Sequence, residues 1–360
     1  MAAHNRGMPA TSGAPAVAIS VRQVAPGERA AWDDFVTASC GGILMQTWGW
    51  GELRRRSDWS VLRLVAESES GWRAAIQILH RSVLPGGIGW GYAPRGPALA
   101  ALADTAAAER LLERARAELV RRRILALRVD PEWEVNSPNA EALRRRLGLR
   151  PARFDIQHRQ TWLVELGSTP QETLAAMPAS TRRNIRIAER AGVEVTAGRD
   201  PHDVERFYQL HLETVRRQAF QTRPLSYYQA ALAELGAVVF LARREAQPLA
   251  GAIAIACGPR LIYLYGGTSV ALPEVRASYA LHWAVIQWGI RRGCTEYDMW
   301  GMPRGFDRSD PAHGYALFKT RWGGGLASHS GLMVAPLLGP LDPATHRLEA
   351  WLLRRRPLLT

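Results

Sequence analysis

Lysine is almost absent from this sequence. Lysine and arginine together number 46, and Lys319 is the only lysine among them. All the others are arginine, a bias that is typical of proteins from GC-rich genomes. Because an exposed lysine exchanges readily with arginine, the one that remains indicates a site that requires a compact ammonium group. Chance survival of a single lysine codon is the alternative.

Cysteine and long apolar runs are also scarce. Cys40, Cys257 and Cys294 are far apart and form no C-x-x-C pair, which argues against a disulfide framework or a zinc site and fits a reducing, cytoplasmic location. No stretch reaches the roughly 18 uncharged apolar residues that a membrane-spanning helix needs. The first residues lack the apolar core of a secretory signal, so we expect residues 1–16 to form a disordered tail.

The charge balance is strongly basic, with a formal net charge of +13. Such a surface favours a polyanionic partner: nucleic acid, nucleotide phosphates or anionic lipid. A general preference for arginine would produce the same charge, so charge alone does not choose among these partners. The length of 360 residues is too great for one ordinary core and suits two domains.

One order of predicted elements occurs twice along the chain. The first copy is a hairpin, a short strand ending in the loop YAPRGP, an amphipathic helix at 105–123 and a buried strand ending at Asp130. The second copy has a hairpin turning at Gln247–Pro248, a strand at 261–269, a helix at 278–293 and a strand at 295–303. Three further helices are predicted around 178–191, 203–218 and 225–235. The repeat indicates duplication of one domain type.

This order resembles that of the acyltransferase fold known as GNAT, a mixed sheet flanked by helices. The sequence therefore predicts an α/β protein with mixed sheets in two tandem GNAT-like domains. GNAT enzymes that use acyl-CoA hold its pyrophosphate on a Gly-rich turn at a helix N-terminus. The corresponding junctions here, PRGPALAALADT and PEVRASYALHW, contain no G-x-G. Coenzyme A is therefore disfavoured as the acyl donor.

A basic helix precedes the second copy. Arg182, Arg183, Arg186 and Arg190 are spaced three or four residues apart and share a helical face, with Ile185 predicted to point inward. A one-sided arginine stripe suits phosphates, although a solvated helix face gives the same pattern.

Two tyrosine-bearing segments follow. In TRPLSYY, Arg223 and Tyr227 flank a proline that can open a helix, which would point the arginine into a cleft to pair with a phosphate or carboxylate. In YLYGG, Tyr263 and Tyr265 alternate with Leu264 and are predicted to share one face of a strand. These tyrosines form either one wall of a ligand-binding site or an ordinary, half-buried part of the core.

The lone lysine follows a long irregular loop. Phe318 and Lys319 come after residues 303–314 and before Gly323–Gly325, and long irregular loops in compact domains are usually functional or disordered. Asp130 ends a strand of the first copy and is a candidate acid or base, although Asp before Pro at a strand end is more often a turn former.

Taken in order, several segments resemble those of the Fem family of aminoacyl-tRNA-dependent transferases. They cover roughly residues 40–330 and comprise QTWGWGEL, YAPRGP, LRVDPE, TRRNIRIAERAGVEV, TRPLSYY, YLYGGTS, the Tyr297–Asp298 strand end and LFKTRWGGG. The resemblance implies two GNAT-like domains, at 17–160 and 161–330, with a substrate cleft between them. It also implies that residues 331–360 return to the first domain. No long heptad insertion is present, as in the compact members that lack a helical arm.

The resemblance also implies roles for individual residues. Arg223, Tyr227 and Tyr265 match positions that hold the nucleotide and phosphates of a peptidoglycan precursor, and Arg54 stands where the family has a lysine with the same task. Phe318 and Lys319 match the pair at the acyl-transfer centre. The implied reaction moves an amino acid from aminoacyl-tRNA to the stem-peptide amine, with no cofactor or metal, and the arginines of the basic helix would bind tRNA. Asp130 is the candidate general base, and proton transfer through the substrate is equally open.

Two other enzymes and a binding module would fit parts of this pattern. A Fem-like enzyme of antibiotic biosynthesis would share the tRNA-facing residues, a GNAT enzyme would take acyl-CoA, and a tRNA-binding module would need no catalytic lysine. We expect a monomer. The basic, amphipathic C-terminus, 347–360, is predicted to dock on the first domain, with contact with the inner membrane surface as the alternative.

Overall fold

Two mixed β-sheets, one in each half of the chain, organise the computed structural model of the protein. The structure describes residues 18–39, 43–83, 85–218, 221–303 and 313–337. The predicted tail, Cys40, most of the loop before Lys319 and the basic C-terminal segment lie outside the described residues. No helix in the described part of the chain has the length and apolar character needed to cross a bilayer.

The strands divide between the two sheets. The first sheet contains β1 (Ser20–Gln23), β2 (Ser60–Ser68), β3 (Gly71–Ser82), β4 (Gly89–Ala93), β5 (Ala98–Leu99), β6 (Ile124–Val129) and β7 (Arg150–Pro151). The second contains β8 (Gln160–Glu165), β9 (Val193–Gly198), β10 (Val238–Arg244), β11 (Gln247–Cys257), β12 (Arg260–Thr268), β13 (Glu296–Met302) and β14 (Gly325–Ser328). A last strand, β15 (Met333–Pro336), lies in the first sheet between β6 and β7. The domain limits 17–160, 161–330 and 331–360 remain predictions.

The helices cover these sheets and line the space between them. They are α1 (Arg29–Ala38), α2 (Trp48–Arg55), α3 (Thr105–Arg121), α4 (Pro138–Arg146), α5 (Pro170–Ala176), α6 (Ala179–Arg190), α7 (Pro201–Gln218), α8 (Leu225–Leu235), α9 (Ala277–Ile290) and α10 (His313–Thr320). Helices α6 to α9 confirm the four predicted in the second half. Helix α10, which carries Lys319, had no periodic pattern long enough to predict it.

The predicted repeat is present in the sheet topology. In the first sheet β2, β3 and β4 are neighbours in antiparallel pairs, and β6 runs parallel to β4 after the crossover through α3. In the second sheet β10, β11 and β12 repeat that arrangement, and β13 runs parallel to β12 after α9. The turn of the second hairpin differs from the predicted Gln247–Pro248. Gln247 already pairs with Arg244, so the chain turns between them, at Glu245, whose φ is 56°.

Apolar side chains on the sheet-facing sides of the helices form the cores. On α3 the buried residues include Leu111, Ala115 and Leu119, which form one apolar face of the predicted amphipathic helix. Helix α9 is buried almost all round, because it packs on β10 and β11 and is covered by α6. Helices α7 and α8 cover the opposite face of the second sheet.

A close helix contact joins the two halves beside the cleft. A Cβ on Gly49 of α2 would lie 2.1 Å from the carbonyl oxygen of Glu234 in α8, so only glycine permits this approach. Arg56 also contacts Glu234 at 2.6 Å. The contact brings Arg54, one turn along α2, to the same cavity as the residues at the start of α8.

A buried ion cluster provides a second link. Arg260 of β12 donates to the carboxylate of Glu132, in the segment after β6, at 2.7 Å. Both side chains are about nine-tenths buried. Arg95 lies 3.7 Å from the other oxygen of Glu132. The cluster ties the end of the first sheet's central strand to the second sheet.

Candidate active site

Two adjoining cavities open in the molecule, one almost wholly within the second half of the chain and the other between the two halves. The lysine cavity, of about 630 Å³, is lined by the central strand β12, by α9 and by α10, including Phe318 and Lys319. The arginine cavity, of about 350 Å³, is lined by α2, α8 and the strand ends of both sheets, including Arg54 and Arg223. Five residues line both cavities: His158, His211, Leu264, Tyr265 and Trp300. A ligand in one cavity would therefore meet a ligand in the other at this boundary.

The lysine cavity exists because two parallel strands separate. The pairing of β12 with β13 ends at Ile262 and Asp298, and beyond that point the strands diverge. A register shift interrupts the pairing of β13 with β8 between Asp298 and Gly301. Trp300, within that shift, has a φ of 67°, a backbone conformation that residues other than glycine rarely adopt.

Lys319 is held by this distorted strand. Its Nζ donates hydrogen bonds to the carbonyl oxygens of Gly301 at 2.8 Å and Trp300 at 3.2 Å. The side chain is 8% exposed. Because an ammonium has three N–H groups, these two bonds leave one for a ligand in the cavity. Burial lowers the pKa of Lys319 to about 8, a shift that Asp298 opposes.

Asp298 fixes the turn that holds the lysine. Its Oδ1 accepts the backbone N–H of Trp300 at 2.8 Å and the hydroxyl of Thr161. Arg260 lies 3.9 Å from its Oδ2. Burial raises the pKa of Asp298, and Arg260 and Thr161 oppose that rise. The carboxylate therefore positions backbone atoms, and its partners connect it to the buried ion cluster.

Phe318 forms part of an aromatic wall beside Lys319. Its ring centroid lies 5.1 Å from that of His282 and 5.5 Å from that of Tyr279. The Nδ1 of His282 is hydrogen-bonded to the Tyr297 hydroxyl at 2.7 Å. Burial, with the nearby charge of Lys319, lowers the pKa of His282 to about 3, so the ring is neutral at pH 7. Of these rings, Phe318 and His282 line the lysine cavity, where they could stack against a flat ring.

The structure brings all four predicted precursor-binding residues to the arginine cavity. The guanidinium of Arg223 lies 5.6 Å from the centre of the Tyr227 ring. The hydroxyl of Tyr265 donates to that of Tyr227 at 3.3 Å. Arg54 is 9% exposed and lies 5.8 Å from the Trp59 ring. Two arginines and two tyrosine hydroxyls on one small cavity suit an anionic, phosphate-bearing ligand. Their roles in binding remain predictions.

The strand pattern of the two tyrosines was predicted incorrectly. Tyr263 packs on the α9 side of the sheet, 4.8 Å from His282, whereas Tyr265 packs against α8, 5.0 Å from Tyr228. The pairing with β11 shifts register at this point, since Tyr265 is opposite Ile253 and Tyr263 is opposite Ala254. A bulge at Leu264 therefore breaks the alternation on which the prediction relied.

Asp130 lies behind the arginine cavity and does not line either cavity. Its Oδ2 accepts the hydroxyl of Tyr92 at 2.8 Å, and its Oδ1 accepts the backbone N–H of Arg95 at 2.6 Å. Burial raises its pKa to about 6, against the opposing effect of Arg95. The carboxylate thus shapes the YAPRGP loop, and a role as general base stays a prediction.

The four predicted arginines of α6 differ in their exposure and contacts. Arg183, Arg186 and Arg190 are exposed, and Ile185 is buried as predicted. Arg182 is only partly exposed, because its side chain donates hydrogen bonds to the carbonyls of Ala175 and Met177 at the end of α5.

Helix α6 is also anchored directly to the segment after α10. The hydroxyl of Thr181 donates to the carbonyl of Arg321, two residues beyond Lys319. The first turn of α6 is thereby attached, through its buried side, to the segment that follows α10.

Sequence reasoning missed the residues at the boundary of the cavities. His158, His211 and Trp300 belong to no recognisable pattern, and their positions follow from the meeting of the two sheets. His211 is the most constrained: its Nδ1 lies 2.8 Å from the Gly266 carbonyl and its Nε2 lies 3.0 Å from the Tyr228 hydroxyl. Among the described residues, no cluster of side chains has the composition of a metal site.

Known proteins share both the sequence pattern and the architecture. Residues 177–308 match the acetyltransferase (GNAT) domain. The chain is similar to the UDP-N-acetylmuramoylpentapeptide-lysine N(6)-alanyltransferase of Weissella viridescens, with 25% identity over 75% of this chain and 83% of the relative. It is also similar to the lipid II:glycine glycyltransferase of Staphylococcus haemolyticus, with 22% identity over 81% of this chain and 87% of that one.

The solved structures extend this likeness to the whole fold. FemX aligns with a TM-score of 0.82 at 19% identity, covering 90% of this chain and 99% of FemX. A tandem GNAT protein from the clavulanic acid biosynthesis pathway aligns with a TM-score of 0.52 at 13% identity, covering 90% and 99% of the two chains. The predicted fold class, two tandem GNAT-like domains with mixed sheets, is confirmed.

Proposed function

Because the chain belongs to the Fem family of aminoacyltransferases, we propose that it transfers an amino acid from aminoacyl-tRNA to the stem-peptide amine of a peptidoglycan precursor. The observation that carries this proposal is the position of Lys319. It is the only lysine of the chain, it is buried, and its cavity adjoins a second cavity lined by Arg54 and Arg223. Two cavities that meet suit a reaction between two large substrates.

The arginine cavity is the site we assign to the precursor. The relatives are named for UDP-N-acetylmuramoylpentapeptide and lipid II. Arg54 and Arg223 present guanidinium groups that can pair with phosphate oxygens, and Tyr227 and Tyr265 present hydroxyls and ring faces. The stem peptide would then extend towards the boundary of the cavities, so that its amine reaches the lysine cavity.

The lysine cavity is the site we assign to the aminoacyl end of the tRNA. The wall formed by Phe318 and its aromatic neighbours offers a surface on which the terminal adenosine can stack. The exposed arginines of α6, Arg183, Arg186 and Arg190, would contact tRNA phosphates, which dominate the affinity of nucleic-acid complexes. Arg182 would act mainly by holding α6 to α5. Since charged tRNA is cytoplasmic, we place the reaction there.

The reaction is the aminolysis of an ester. The acceptor amine attacks the aminoacyl carbonyl, negative charge develops on the carbonyl oxygen, and the ribose hydroxyl leaves. The remaining N–H of Lys319 would stabilise the developing oxyanion or the leaving oxygen, in a site where burial strengthens the interaction. The carbonyls of Trp300 and Gly301 hold the ammonium in place without neutralising it. The protein thus contributes orientation and charge stabilisation.

The experiment that tests this function offers the purified protein each donor with each acceptor. The donors are a mixed pool of radiolabelled aminoacyl-tRNA and labelled acetyl-CoA. The acceptors are UDP-MurNAc-pentapeptide, lipid II in detergent and a small amine. We expect label to move from tRNA to a precursor, and the label would identify the amino acid. Transfer from acetyl-CoA alone, with none from tRNA, would contradict the proposal.

A further inference from the structure

His158 is positioned where the two proposed substrates would meet. It lies between β7 and β8, in the connection from the first sheet to the second. It lines both the lysine cavity and the arginine cavity, and its side chain is exposed to them. It has no part in the roles proposed above for Lys319 and the arginine cavity.

Contacts on two sides fix the position of this histidine relative to Lys319. A Cβ on Gly301 would lie 2.2 Å from the His158 Cδ2, so the imidazole lies directly against the backbone of Gly301. The carbonyl of that same glycine accepts the hydrogen bond from Lys319 at 2.8 Å. On the other side, Arg95 donates to the backbone carbonyl of His158 at 2.8 Å. The ring is therefore held beside the lysine while one side faces the cavities.

The surroundings keep this ring neutral. Desolvation by the protein atoms packed around the ring, followed by the positive charges of Lys319 and Arg95, lowers the pKa of His158, and a hydrogen bond with the backbone of Met302 opposes that shift. The other titratable or charged groups that line the two cavities are Arg54, Tyr92, His211, Arg223, Tyr227, Tyr228, Tyr263, Tyr265, His282 and Tyr315. No carboxylate is among these lining residues to stabilise an imidazolium. At pH 7 the ring is thus a base with a lone pair available.

We propose that His158 is the general base of the transfer reaction, an inference that rests on the proposed function. As the acceptor nitrogen forms its bond to the aminoacyl carbonyl carbon, an N–H proton passes from that nitrogen to the free imidazole nitrogen. When the bond from that carbon to the ribose oxygen breaks, the imidazolium gives the proton to the departing oxygen. The ring returns to its neutral form, and the proton count is unchanged overall.

The other bases near the cavities are already engaged. Both oxygens of Asp130 accept hydrogen bonds, and the residue lies behind Tyr92. Both ring nitrogens of His211 have partners. His282 is buried and bonded to Tyr297, with a pKa of about 3. His158 combines exposure to both cavities with proximity to Lys319, which none of these groups does.

The test uses two variants, His158→Ala and His158→Gln, in the full chain, with His202→Gln as the matched control. His202 is an exposed histidine at the start of α7, outside both cavities. We expect kcat for transfer to fall by about 100-fold or more in both His158 variants, the usual minimum contribution of a general base. KM for the precursor should change little, and circular dichroism should match the wild type.

Two readouts separate a base from a merely structural residue. The pKa of His158 lies below the ordinary histidine value of about 6.5. The ratio of the wild-type rate to the His158→Gln rate should therefore rise with pH while the ring loses its proton, and it should be constant between about pH 6.5 and 7.5. Added imidazole should restore part of the activity of His158→Ala, because the vacated space opens to the cavities. Imidazole should not change the activity of His202→Gln.

The results distinguish this inference from the proposed function. If the wild type transfers amino acids and the folded His158 variants keep its rate and pH profile, the general-base role is wrong while the function stands. A loss of activity that imidazole does not rescue, with a constant ratio across pH, would assign His158 a structural role and would also overturn the inference. If the wild type itself transfers nothing from tRNA, the proposed function fails first.

Discussion

The ammonium nitrogen of Lys319 lies 2.8 Å from the carbonyl oxygen of Gly301. A neutral oxygen of the main chain, and not a carboxylate, is therefore its nearest partner, so the positive charge is held in place and stays available to a ligand. The oxygen points to the lysine because the strand is distorted between Asp298 and Gly301. A guanidinium, which is wider and planar, would not occupy the same space, which explains a lysine in a chain that otherwise uses arginine.

The charge of Lys319 gives the reaction a pH dependence that a variant can isolate. Since burial lowers its pKa to about 8, the side chain is a charged ammonium below that value and a neutral amine above it. We expect the ratio of wild-type to Lys319→Met transfer rates to be constant up to about pH 7 and to fall as the pH rises through about 8. The ratio removes effects common to both proteins, such as ester hydrolysis and titration of the acceptor amine. A ratio that stays flat to pH 9.5 would show that the charge of the lysine does not contribute.

Arg223 should contribute to precursor binding more than to the chemical step. We expect Arg223→Met to raise KM for UDP-MurNAc-pentapeptide by about 10- to 100-fold, since a charge-assisted hydrogen bond contributes about 1.5–3 kcal/mol. The kcat value should change little. The control is the free pentapeptide, which lacks phosphate and should bind wild type and variant equally weakly. An equal loss with both acceptors would place Arg223 away from the phosphates.

The basic face of α6 should bind tRNA through its phosphates. Replacing Arg183, Arg186 and Arg190 together with glutamine should reduce the slope of log affinity against log salt by about 0.7–0.9 for each phosphate that these arginines neutralise. The matched control replaces Arg110, Arg114 and Arg121 of α3, which changes the net charge equally on another surface. Filter binding to aminoacyl-tRNA at several salt concentrations measures this slope for both triple variants. An equal change in the two triple variants would show that only net charge matters.

The ion pair of Glu132 with Arg260 should matter for stability. Although burial alone would raise the pKa of Glu132, Arg260 and Arg95 keep it below its usual value. We expect Glu132→Gln to lower the free energy of unfolding by at most about 3–5 kcal/mol, because the buried Arg260 guanidinium loses its shortest ion pair and keeps only the longer contacts with Glu296 and Asp298. The difference should shrink as the pH falls towards the folded-state pKa of Glu132, where the wild-type carboxylate is also protonated.

Urea denaturation measures this effect against a surface pair of the same kind. Glu109 contacts Arg146 at 2.5 Å, but the arginine is more than half exposed. Glu109→Gln should therefore change the free energy of unfolding far less than Glu132→Gln does, because water screens the exposed pair. Similar values for the two variants would show that the buried cluster does not hold the halves together.

The repeated elements could be predicted from sequence because each has a long periodic pattern. The hairpins, α3 and α9 lie where alternation and helical spacing placed them. Short elements without a pattern were missed, among them α10 and the edge strand β14. The prediction that Tyr263 and Tyr265 share one face of the strand was wrong, because a bulge at Leu264 changes the side of the sheet to which the next residue points. No local pattern in YLYGG reports that bulge.

The candidate site was predictable where a residue was itself unusual or where its segment resembles the Fem family. Lys319 was found because it is the single lysine, and Arg223 because of its proline neighbour. His158 and Trp300 acquire their positions from contacts between the two sheets, and nothing in their local sequence reports those contacts. For the same reason Asp130, a conspicuous residue in sequence, proves to be held by Tyr92 and Arg95 away from both cavities.

The role of Lys319 in aminoacyl transfer is tested by comparing wild type and Lys319→Met in the transfer of radiolabelled amino acids from charged tRNA to a peptidoglycan precursor. We expect wild type to label the precursor and the folded variant to be slower by about 100- to 1,000-fold. Thermal denaturation of both proteins confirms that the variant is folded. A variant that transfers label at the wild-type rate would contradict the assignment of Lys319 to the acyl-transfer centre, and a wild type that transfers none would contradict the function.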